Sequence, residues 1–228
     1  MTKYLFIFLC FVLISCGDKN ATTPEKKNTI TAPSIEKTIP KPVANKKKTI
    51  VFFGNSLTAA YGLDPSQGFV GLIGGRIDSL GLDYKVVNAG LSGETSAGGN
   101  SRIDWILRQK IDVFVLELGA NDGLRGTSTA ETYKNLTSIL QKVKTKYPEV
   151  KILICAMEAL PNMGEKFTTE FRGIFANLAK ENDGTLIPFF LSNVGGIPEL
   201  NQADGIHPTA KGHQIVTENI WAVLKDVL

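Results

Sequence analysis

From residue 49 to the C-terminus, short apolar β-rich runs alternate with longer segments of helical period. The runs at 49–53, 84–87, 112–118, 150–155 and 185–189 read as strands. Between them, 66–80, 95–109, 129–146 and 165–181 read as helices, and 209–227, just after Pro208, closes the chain as another. Gly98 and Gly99 weaken the first turn of the second helix, and 129–146 is the clearest amphipathic one. Such alternation implies an α/β fold, a three-layer sandwich with a five-stranded parallel sheet flanked by helices. Ligands of such sheets bind beyond the carboxyl ends of the strands. Gly54-Asn55-Ser56, Asn88-Ala89-Gly90 and Gly119-Ala120-Asn121-Asp122 stand at three such ends, so one crevice is expected to gather them.

The first 48 residues are different material. Lys3 precedes an apolar run from Tyr4 to Ile14, too short for the roughly 20 residues that span a bilayer. A short basic start and a short apolar run are the pattern of a secretory signal. Leu13-Ile14-Ser15-Cys16-Gly17 resembles a bacterial lipobox, in which Cys16 would receive lipid and become the new N-terminus. Residues 1–16 are therefore expected to be a lipoprotein-type signal peptide. Each buried methylene of an acyl chain contributes about 0.8 kcal/mol, so lipid on Cys16 would hold the protein at a membrane without a spanning helix. Residues 17–48 are rich in Lys, Thr and Pro and hold no aromatic residue, which suits a disordered tether.

Charge follows the same division. Eight lysines against three acids give the tether +5, Lys3 adds +1, and the whole chain is +3, so residues 49–228 carry −3. The basic balance belongs to the tether, and nothing in it argues for nucleic acid as a partner. Lys46-Lys47-Lys48 reads as the solvated end of a linker. The 180 residues that remain suit one domain with a sizeable core. Cys155, its lone cysteine, lies in an apolar run and reads as a buried structural thiol, with no metal-ligand cluster around it.

Two histidines are available as a general base, His207 and His213. His207 closes Asp204-Gly205-Ile206-His207, where the carboxylate can hold one ring nitrogen and leave the other to a nucleophile. An ordinary turn before a helix fits the same residues. His213, inside the last helix with no acid nearby in sequence, reads as structural. Ser56 follows a strand and is expected to open a helix-like stretch, whose N-terminus would favour developing negative charge. A plain helix cap explains such a serine equally well. The Gly-x-Ser-x-Gly elbow is absent. Asn121 can donate to an oxyanion or shape a turn, and Gly90 offers an unobstructed N–H.

Taken together, four blocks resemble the SGNH (GDSL-type) hydrolase family, named for invariant Ser, Gly, Asn and His. They are Phe53-Gly54-Asn55-Ser56-Leu57-Thr58, Asn88-Ala89-Gly90-Leu91-Ser92-Gly93-Glu94-Thr95, the run from Glu117 to Gly126, and Asp204-Gly205-Ile206-His207-Pro208. The resemblance spans essentially all of 49–228 and is strongest to the branch of bacterial acyl-CoA thioesterases, lysophospholipases and arylesterases. It implies a flavodoxin-like sheet and a serine esterase that needs no metal or cofactor. By position, Ser56 would be the nucleophile and His207 the base, oriented by Asp204. Ser56 N–H, Gly90 N–H and the Asn121 side chain would form the oxyanion hole. One departure is visible: the family's usual Gly-Asp-Ser is Gly-Asn-Ser here, with Asn55.

The resulting expectation is a monomeric, lipid-anchored esterase of the bacterial cell envelope, periplasmic or on the outer face. Its substrate would be a small, lipid-like ester or thioester, and its membrane contact the N-terminal lipid. An acetyl-glycan esterase is the alternative within enzymes, and a catalytically silent envelope binding protein the alternative outside them.

Overall fold

A computed structural model describes residues 46–228. The signal at 1–16, Cys16 and the tether as far as residue 45 lie outside the described residues. Five strands form one parallel sheet: β1 (Lys48–Gly54), β2 (Tyr84–Gly90), β3 (Val113–Glu117), β4 (Lys151–Cys155) and β5 (Thr185–Ile187), in the order β2-β1-β3-β4-β5. The register runs Phe52↔Asn88 on one side of β1 and Phe52↔Val115 on the other. β1, β3 and β4 are buried almost from end to end, which explains their unbroken apolar sequence. Lys48, placed in the tether from sequence, is the first residue of β1 and pairs with Tyr84.

The described residues hold six α-helices: α1 (Phe69–Ser79), α2 (Ser96–Ile106), α3 (Ala120–Leu124), α4 (Thr129–Lys146), α5 (Glu165–Glu181) and α6 (Ala210–Leu224). α1 packs with α6, and α4 packs between α2 and α5. The three-layer architecture expected from the alternation is the one observed. α4 matches its sequence period because both ends are marked. Ser128 Oγ accepts from Glu131 N–H at its start, and Lys144 and Lys146 lie in its last turn. α2 keeps Gly99 in its first turns for a packing reason. A Cβ there would stand 2.4 Å from Leu118 Cδ2 and 3.1 Å from the Phe53 ring, so glycine lets α2 settle against the sheet.

Two elements end earlier or start later than their sequence suggests. α1 begins at Phe69 because Asp64 caps a single 3-10 turn at Pro65–Gln67 first. β5 stops at Ile187, before Pro188, which has no N–H for a ladder. The chain passes from β1 to β2 on one side and returns to β3 on the other. The loops after β1 and β3 therefore diverge, and a crevice opens between them.

Candidate active site

The loop after β1 carries Ser56 to the rim of that crevice. Asn55 is buried and bonds at both ends of its amide. Its nitrogen donates to Glu117 Oε1 at 2.8 Å, and its oxygen accepts from Leu57 N–H at 2.9 Å. That second bond turns the chain at once. Ser56 consequently opens a series of turns, not the helix-like stretch expected from sequence. Tyr61 N–H reaches back to Ser56 O, and Ala60 takes φ 58°. Among the described residues no helix begins at Ser56, so stabilisation of negative charge there falls to individual donors.

The loop before α6 supplies the base. His207 Nε2 lies 2.8 Å from Ser56 Oγ, and His207 Nδ1 lies 2.7 Å from Asp204 Oδ2. Asp204 Oδ1 also accepts from the N–H groups of Ile206 and His207, both at 3.0 Å. The bond to the His207 ring and these backbone bonds hold its carboxyl down at about 2. An ionised carboxylate can only accept, so in the neutral ring Nδ1 carries the proton and Nε2 accepts from the Ser56 hydroxyl. Two neighbours that sequence reasoning missed fix this loop. The Tyr61 ring packs 4.6 Å from the His207 ring, centre to centre. Gln202 Nε2 donates to Tyr61 O at 2.8 Å and to Pro208 O at 3.0 Å.

The donors facing the crevice differ in one member from those expected. Asn121, on α3, lines it and spends one of its two amide N–H groups on Glu94 O at 3.0 Å. Gly90 does not line it. Its N–H donates to Asn88 Oδ1 at 2.9 Å, and its Cα is pressed against the Ala59 backbone. The oxyanion role expected of Gly90 is therefore corrected: that N–H is already occupied. Gly93, three residues on, does line the crevice, and its N–H has no protein acceptor among the described residues. Ser56 N–H likewise has none. Both glycines stand in the same sequence block, and only the strand's end and the Asn88 bond distinguish them.

His213 and Cys155 stand outside this relay. His213 is buried, and its Nδ1 accepts from Phe69 N–H at 3.3 Å. Burial, and then the charge of His207, lower its pKa to about 4, so the ring is neutral. Burial and then the nearby Glu117 push the Cys155 thiol well up, which suppresses thiolate chemistry. Among the described residues, no group of three or more His, Cys, Asp or Glu is gathered as a metal-ligand set.

Beyond Ser56 the crevice widens into a cleft of about 870 Å³. Leu124, Ala159, Leu160, Leu191 and Ile206 give it apolar walls, and Glu158 and Arg172 join in a two-pronged ion pair along it. Such a cleft suits a ligand with an apolar body and one polar reacting centre near Ser56.

Residues 52–215 match the GDSL-like Lipase/Acylhydrolase family. The chain is 41% identical over 182 residues to Esterase TesA of Pseudomonas aeruginosa, covering 79% of this chain and 90% of that protein. It is 36% identical over 171 residues to Thioesterase 1/protease 1/lysophospholipase L1 of Escherichia coli (strain K12), covering 75% of this chain and 80% of that protein. A crystal structure of TesA is similar with a TM-score of 0.76 at 41% identity, over 79% of this chain and 100% of that one.

Proposed function

Because the chain belongs to the GDSL-like lipase/acylhydrolase family, we propose that it hydrolyses lipid-like acyl esters and thioesters, with Ser56 as the nucleophile. The observation that carries the reading is the relay from Ser56 Oγ to His207 Nε2 at 2.8 Å and from His207 Nδ1 to Asp204 at 2.7 Å. His207 takes the hydroxyl proton as Ser56 Oγ bonds to the substrate carbonyl carbon. The negative charge moves to the carbonyl oxygen, where Ser56 N–H, Gly93 N–H and the second Asn121 amide hydrogen receive it. The intermediate then collapses. The leaving alkoxide or thiolate departs with the proton held by His207, and the acyl group stays on Ser56. A water gives a proton to the same nitrogen, attacks the acyl-enzyme and releases the acid, and the proton returns to Ser56.

The apolar cleft of about 870 Å³ supports an acyl chain rather than an acetyl group as the preferred ligand. The names of the relatives, an esterase and a thioesterase/lysophospholipase, support the same class. Every group in the relay comes from one chain, which supports activity as a monomer. Attachment to the cell envelope through lipid on Cys16 rests on the lipobox-like sequence, and loss of membrane partitioning in Cys16→Ser tests it.

A series of p-nitrophenyl esters and acyl-CoA thioesters of increasing chain length, run beside an acetylated sugar, tests the substrate class. Specificity rising from acetyl to medium-length chains is expected. A preference for the acetylated sugar would overturn it. Ser56→Ala should remain folded and lose turnover of every substrate in the series.

A further inference from the structure

Glu117 ends β3 directly behind the nucleophile loop and is completely buried. It does not line the cleft, yet both of its oxygens are committed to that loop. Oε2 accepts from Asn55 N–H at 3.2 Å, Thr58 N–H at 3.2 Å and the Thr58 hydroxyl at 2.6 Å. Oε1 accepts from the Asn55 side-chain amide at 2.8 Å. Gly54, paired with Glu117 across the strands, makes the approach possible. A Cβ on it would fall 2.2 Å from Thr58 Oγ1 and 2.6 Å from Glu117 Oε2.

Asn55 is thus read at both ends, its nitrogen by Glu117 and its oxygen by Leu57 N–H, with Ser56 Oγ 3.4 Å from that same oxygen. A carboxylate at position 55, as in the usual Gly-Asp-Ser, would place oxygen against Glu117 Oε1 with no hydrogen between them. Two carboxyl groups so close hold together only by sharing a proton.

We infer that Glu117 is a positioning residue for Ser56, acting through Asn55 and Thr58, and that the amide at position 55 supplies the hydrogen that an aspartate there would have to share as a proton. The loop of this protein therefore keeps its shape at alkaline pH, where such a shared proton would be lost. The groups facing Glu117 fit this role. Asn55 and Thr58 supply donors from the β1 loop, and Cys155 faces it from β4 with its thiol held protonated. No cation pairs with Glu117 among the described residues. Burial pushes its carboxyl up to about 7 against the pull of those four hydrogen bonds, so above neutrality it is the anion that the donors require. The inference rests on Ser56 being the nucleophile.

The test is a swap of donor and acceptor. kcat and KM for p-nitrophenyl butyrate are measured across pH for the wild type, Glu117→Gln, Asn55→Asp and the double variant, each also exposed to a fluorophosphonate probe. Glu117→Gln sets one amide nitrogen against another and lowers kcat about 10- to 100-fold with little change in KM. Asn55→Asp works near neutrality and loses more than about tenfold in kcat towards about pH 9, where the wild type holds its rate. The double variant restores a donor facing an acceptor and recovers to within about threefold of the wild type, without the alkaline loss. A double variant no better than Glu117→Gln, or an Asn55→Asp variant with the wild-type pH profile, would overturn the inference. If the probe fails to label Ser56 in the wild type, the assignment of the nucleophile fails instead, so the two failures are distinguishable.

Discussion

His213 should make the protein sensitive to acid, by an amount the structure allows to be estimated. The ring projects from α6, is buried and packs 6.0 Å from Phe69, centre to centre, while its Nδ1 accepts the Phe69 N–H. Burial first, and His207 second, lower its pKa from 6.5 to about 4. The unfolded chain therefore takes up this proton before the folded one does. Stability is fully present above pH 6.5 and is lost as pH falls through that value towards 4. At about 1.4 kcal/mol per unit, the loss is about 2 kcal/mol at pH 5 and about 3 kcal/mol at pH 4. His213→Gln keeps an acceptor for the Phe69 N–H and removes the titration. Urea unfolding at about pH 7.5 and about pH 5 should show the stability advantage of wild type over variant shrinking by about 2 kcal/mol at the lower pH. Glu117 acts in the opposite sense. Its raised pKa contributes stability that is present below 4.5 and lost as pH rises through about 7. Both proteins contain Glu117, so that contribution cancels in the difference. An advantage that stays constant between the two pH values would refute the assignment.

Asn121→Ala removes one of the three donors proposed for the developing oxyanion and should lower kcat about 10²- to 10³-fold in steady-state ester hydrolysis. Asp204→Asn leaves His207 in place with the wrong ring nitrogen protonated, and kcat should fall by about 10³- to 10⁴-fold while Ser56 stays accessible. Gly99→Ala drives a methyl group to 2.4 Å from Leu118 Cδ2, and thermal or urea unfolding should register a loss of about 1–3 kcal/mol.

How much was legible in the sequence depends on where each element's information resides. β1, β3 and β4 are central strands whose burial dictates their residues, and α4 carries its own cap and its own lysine-rich end, so local sequence suffices. The stretch after Ser56 failed for a nonlocal reason. Asn55 Oδ1 makes the turn by accepting the Leu57 N–H, and the Asn55 amide is held in that orientation by Glu117, 62 residues away. α3, at five residues, is too short to show a period. Gly90 and Gly93 are indistinguishable as letters, and which N–H is free follows from where β2 ends and where the Asn88 side chain falls. Glu117 did leave a trace, a carboxylate in an otherwise apolar run, which a fully buried strand tolerates only when donors surround it. Tyr61 and Gln202 left none, because the bond that joins them spans 141 residues.

The proposed chemistry depends first on Ser56 as the covalent nucleophile. A fluorophosphonate probe added to the protein, followed by proteolysis and mass mapping, reads this in one step. Phosphonylation of Ser56 in the wild type, strongly reduced in His207→Ala, is the result expected. Labelling at another serine, or ester turnover that persists unlabelled in Ser56→Ala, would contradict it.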